Sequence, residues 1–95
     1  MAISKIPSYL DSTTTMLDGS SKNLDDYKYT GFYYIAQNVT NAPTTYAWML
    51  VISSGSSSGA CIQIVLKASV IFARALTGSP LAWTSWHKVN LTELT

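Results

Sequence analysis

Apolar side chains alternate through the middle of this chain in short blocks, each closed by turn residues. In Tyr46 to Ser53, Tyr46, Trp48, Leu50 and Ile52 fall on one side and Ala47, Met49 and Val51 on the other. Neither side is polar, so this stretch reads as a central strand that needs cover on both faces. Cys61 to Lys67 repeats the pattern, with Ile62, Ile64 and Leu66 opposed to Cys61, Gln63 and Val65. Phe32 to Ala36 reads as an earlier strand, Val70 to Leu76 as a fourth and Trp83 to Leu91 as a fifth. The breaks between them carry turn chemistry: Gln37 to Thr45 with Asn38, Asn41 and Pro43, then Gly55 to Gly59, Ala68-Ser69, and Thr77 to Pro80. A helix over Leu66 to Leu76 is disfavoured by its β-branched and aromatic residues and by the Ala68-Ser69 break. The pattern predicts an all-β fold, a predominantly antiparallel meander of about five strands, with room for one short helical turn before the first.

Residues 1–22 are weakly patterned and read as an N-terminal arm or linker with at most one short strand, anchored by Tyr9, Leu10, Met16 and Leu17. The domain proper is then 23–95. Gly31 stands where the polar turn Leu24 to Thr30 meets the first strand, and a positive φ is expected there. Arg74 lies among apolar neighbours in the fourth strand. A buried arginine is rarely unpaired, and Asp25 or Asp26 is the expected partner in a structural ion pair. Trp48, Phe72 and Phe32 are expected in the core. Trp83 and Trp86 are three apart, which along a regular strand puts them on opposite faces, one inward and one outward beside His87 and Lys88. A sheet with two oily faces in 95 residues has too little chain to cover both, so self-association is expected.

Composition narrows the functional classes. Only 12% of residues are charged, against about 25% in ordinary soluble domains, and Ser and Thr supply about a quarter of the chain. The net charge is +1 and the six basic residues are scattered, so there is no field to gather nucleic acid. Cys61 is alone and reads as a small buried residue. No apolar run has signal-peptide or membrane-spanning length, so a soluble protein made in a cytoplasm is expected. His87 is the only histidine, which leaves no multi-histidine metal cluster. There is no G-x-S-x-G elbow, no phosphate-binding glycine loop and no calcium-loop spacing. Asp25 and Asp26 are adjacent on a turn, where Asp accepts local backbone hydrogen bonds, and do not straddle a cleft as glycosidase carboxylates must. Neither catalysis nor a cofactor or metal is expected. The aromatic residues are the main inventory, and Trp83, Trp86, His87 and Lys88 form the candidate ligand-contact patch.

Four pieces, in order, carry a resemblance: Asn23-Leu24-Asp25-Asp26-Tyr27 leading to Gly31-Phe32-Tyr33-Tyr34-Ile35; Asn41-Ala42-Pro43; Trp48-Met49-Leu50-Val51-Ile52; and Arg74 followed by Trp83-Thr84-Ser85-Trp86-His87-Lys88. Together they resemble the pyocin-knob family of bacteriophage tail fibres and phage-tail-like bacteriocin fibres. Two departures stand out: Thr30 occupies a position where the family commonly has Pro, and Val70 to Leu76 is more apolar than usual. The resemblance implies a homotrimeric, non-enzymatic knob in a virion. It would join other tail proteins through the N-terminal arm and contribute to attachment at bacterial surface glycans. A standalone carbohydrate-binding module and a non-catalytic connector of a tail or baseplate are the rival readings.

Overall fold

The computed structural model describes residues 14–94. Most of the expected arm, with Tyr9 and Leu10, lies outside the described residues. The described residues are all-β: one seven-stranded sheet and a single 3-10 turn. The strands are β1 (Thr15–Leu17), β2 (Gly31–Ile35), β3 (Ala47–Ser53), β4 (Cys61–Lys67), β5 (Val70–Thr77), β6 (Ala82–Trp83) and β7 (His87–Asn90). They run in the order β1-β2-β3-β4-β5-β6, with β7 also on β5. β1 pairs with β2 in parallel, and every other pairing is antiparallel. The expected meander is therefore present from β2 to β5. The 3-10 turn Leu24–Asp26 is capped by Asn23, whose side chain accepts from the Asp25 amide at 2.9 Å.

The expected last strand is divided. Ala73 pairs with His87 and Leu76 with Trp83. Two β5 residues thus face three residues, Thr84, Ser85 and Trp86, on the returning chain, which is a bulge of one. Thr84 keeps the ladder closed: its amide donates to the Ala75 carbonyl at 2.8 Å, and its hydroxyl accepts from the Ala75 amide at 3.0 Å. The extra residue shifts the alternation. Trp83 and Trp86 consequently point to the same side and both pack against the core, not to opposite sides as unbroken spacing predicts.

The two faces of the sheet have different fates. One is roofed by the segment around the 3-10 turn, by the 36–46 loop and by the bulge. Beneath that roof lie Leu17, Leu24, Ile35, Ala47, Met49, Val51, Val65 and the Cys61 thiol, all buried. The loops of the roof are tied together by the Leu24 amide donating to Thr40 O at 3.0 Å and the Thr40 amide donating to Lys22 O at 2.9 Å. The other face carries Phe32, Tyr34, Trp48, Leu50, Ile52, Ile62, Ile64 and Leu66, and the described chain leaves it bare. Trp48 is 55% exposed and Phe32 48%, so neither is core as expected; the alternation was read correctly, but only one of its two faces is covered. Phe72, on the covered side, does pack against the core.

Gly31 does not have a positive φ; among the described glycines that conformation belongs to Gly19, Gly55, Gly59 and Gly78. Gly31 is the first residue of β2, and a Cβ there would sit 3.2 Å from the Tyr33 hydroxyl and 3.3 Å from its ring. The ring of Tyr33, two residues on and on the same face, occupies the space a side chain would need. Left-handed conformations instead fall on Asn38, Asn41 and Tyr46 in the following loop. Asparagine tolerates them, whereas a bulky tyrosine does so under strain.

Candidate functional site, an arginine clamp under the loop roof

β4 and β5 place Gln63 and Arg74 directly opposite one another on the covered face. Both are buried polar residues among apolar neighbours, and each must satisfy its polar atoms within the protein. Gln63 does so completely. Its amide nitrogen donates to Leu24 O at 2.6 Å and to Tyr27 O at 2.9 Å, the two ends of the 3-10 segment. Its amide oxygen accepts from Arg74 Nε at 2.9 Å. This one side chain thus fastens the roof to the sheet and orients the arginine.

The Arg74 guanidinium extends from there to Asp25. Nη2 lies 2.9 Å from Asp25 Oδ1, close enough for both charge and hydrogen bonding to hold the pair. Asp26, the other expected partner, is exposed and takes no part. Asp25 Oδ2 accepts from Asn41 Nδ2 at 3.1 Å, and the same nitrogen donates to Asn23 Oδ1 at 2.9 Å. Asn41 O in turn accepts from Trp86 Nε1 at 2.9 Å. The bulge supplies the remaining contacts: the guanidinium carbon lies 3.9 Å from the Trp83 ring centroid and 4.7 Å from that of Trp86, both within cation–π range. Burial pulls the guanidinium below its usual value and the Asp25 carboxylate opposes that pull. Arginine starts so high that it remains charged.

Of the expected ligand patch, Trp83 and Trp86 are therefore committed to Arg74. Lys88 is exposed on β7 opposite Phe72. His87 is opposite Ala73, the residue next to Arg74 on β5, so it projects from the bare side of the sheet. Asp25 and His87 are thus on opposite faces, and among the described residues the geometry assembles no acid–histidine pair. Among the described residues no three His, Cys, Asp or Glu side chains converge as metal ligands would. Cys61 is buried, and burial raises its thiol above the ordinary range despite opposing influence from Lys28 and Arg74. What the clamp can do chemically is fix geometry: it sets the turn, the 41 loop and the bulge in one rigid arrangement.

Gln63 is the residue that sequence reasoning passed over. Its signal was present: one amide in a strand otherwise apolar from Cys61 to Leu66. Asn41 was recognised only as a turn residue, and its left-handed backbone belongs with its double role as donor and acceptor here. No family model, curated protein or solved structure matches the chain.

Proposed function

We propose that this chain is the knob of a phage tail fibre or virion appendage, assembled from three copies, which contributes to attachment at the bacterial surface. The observation that carries the reading is the convergence of the resemblance itself. Asn23, Asp25, Asn41, Arg74, Trp83 and Trp86 come from three of the four pieces and meet in one network. Short matches scattered along a chain are weak signals. Matches that meet in one network of this chain are what the reading expects of pieces of a single domain. The bare apolar face agrees with a protein that works as an assembly. In such an assembly, weak contacts to a repeating surface glycan reinforce one another through effective concentration. The reading assigns no turnover, cofactor or metal.

The test has two measurements. Native mass spectrometry of the purified chain is expected to give a trimer. Fluorescently labelled protein is expected to bind cells of at least one strain in a panel of bacteria, and periodate treatment of those cells is expected to abolish binding. A monomer that still binds glycan makes the chain a standalone carbohydrate-binding module. A trimer that binds no cell surface makes it a connector piece.

A further inference from the structure

The bare face is uneven in a systematic way. On its β2–β3 side stand Phe32, Tyr34 and Trp48. The last two rings lock edge to face, with centroids 4.9 Å apart at 63°, so this ridge is ordered before any partner arrives. On its β5 side stand Ala73 and Ala75, opposite Ile64 and Ile62 of β4. Two alanines in succession on one face make a trough. Its upper end opens into an apolar groove of ≈ 340 Å³ lined by Ile52, Ile62, Ala75 and Leu76.

We propose that copies of this chain meet through the bare face, the Phe32–Tyr34–Trp48 ridge of one copy seated in the Ala73–Ala75 trough of the next. This deepens the trimer reading and rests on it for the number of copies. Four features select a second copy as the occupant. Phe32, Trp48, Ile52, Ile62 and Leu66 are each 44–55% exposed on neighbouring strands, an apolar patch of the kind that marks an interface. The strand residues of β3, β4 and β5 on this face include no charge, so a charged partner would be desolvated without compensation. The face holds both a ridge and a trough, so the ridge of one copy has a seat on the next. Ridge-into-trough contact is also head-to-tail, the kind of interface that closes into a ring.

Trp48 and Ala73 lie on strands separated by β4, about 10 Å or more apart within a chain, too far for an intrachain disulfide. The single variants W48C and A73C, refolded together and mildly oxidised, are expected to give at least 10-fold more disulfide-linked chain pairs than either variant alone. Equal cross-linking by W48C alone would mean like-to-like packing and overturn the ridge-and-trough contact. If wild type is trimeric by native mass but the mixture does not cross-link, this face is the wrong one while the trimer reading stands. A monomeric wild type removes both. Circular dichroism checks that each variant folds. Leu66→Lys is an independent probe, since Leu66 is exposed on the same face: it is expected to leave the spectrum intact and reduce the oligomer to monomer, and an unchanged oligomer overturns the proposal.

Discussion

Replacing Arg74 by alanine removes the centre of the clamp, and the effect can be worked from its contacts. The Gln63 amide oxygen, buried and bonded only to Arg74 Nε, becomes an orphan acceptor worth about 1–3 kcal/mol. Two cation–π contacts are lost at about 0.5–1 kcal/mol each. The ion pair adds little, about 0–1 kcal/mol, because the Asp25 side chain is 38% exposed and turns to water. Against these losses, a guanidinium no longer has to be desolvated, a gain of a few kcal/mol in the other direction. The losses total about 2–6 kcal/mol, so after the offset the net expectation is a destabilisation of about 1–2 kcal/mol, still a sizeable share of the ~5–15 kcal/mol typical of a domain. In a thermal melt that is a fall of about 4–16 °C. Urea titration, which separates a change of midpoint from a change of slope, is the second assay. Arg74→Lys keeps the charge but not the planar fork, and is expected to recover less than half of the loss. A loss under about 0.5 kcal/mol for Arg74→Ala would refute the clamp, since that is the scale of ordinary surface changes.

Other outcomes follow from single contacts. Gln63→Leu leaves Tyr27 O without its side-chain donor and Arg74 Nε without its acceptor, while Leu24 O keeps the Tyr27 amide, and a loss of about 2–4 kcal/mol in urea titration is expected. A double-mutant cycle with Arg74→Ala should be clearly non-additive. Gly31→Ala places a Cβ against the Tyr33 ring and should lower the melting temperature; Gly31→Ala in a Tyr33→Leu background should lower it less, and equal losses would dismiss the crowding. Burial raises the Cys61 thiol, so at pH 8 the native protein should react with a thiol reagent at least 100-fold more slowly than the urea-unfolded chain.

The strands from β2 to β5 were legible because alternation is a strong local signal with a period that few other structures share. The Trp83–Trp86 bulge was not legible. One inserted residue changes no residue type and leaves the apolar pattern intact, yet it reverses which side Trp86 occupies. The choice of covered face was hidden for a different reason. By hydropathy alone, the side with Trp48, Leu50, Ile52, Ile62 and Leu66 is the one to bury, yet the roof lies over the side that holds Gln63 and Arg74. Loops expose backbone carbonyls and need donors beneath them, and these two side chains provide donors. The Arg74–Asp25 pair was legible because a buried arginine needs an anion and few acids exist in this chain. The choice of Asp25 over Asp26 was not, since it depends on the direction in which the Asn23-capped turn presents each carboxylate.

One layer of strands with its ties on one side and its bare wall on the other separates two kinds of substitution. Ile62 and Gln63 are neighbours in the chain, yet their side chains leave the sheet in opposite directions. A substitution at Ile62, Ile64 or Leu66 therefore acts on the bare wall alone and leaves the tether beneath the loops undisturbed.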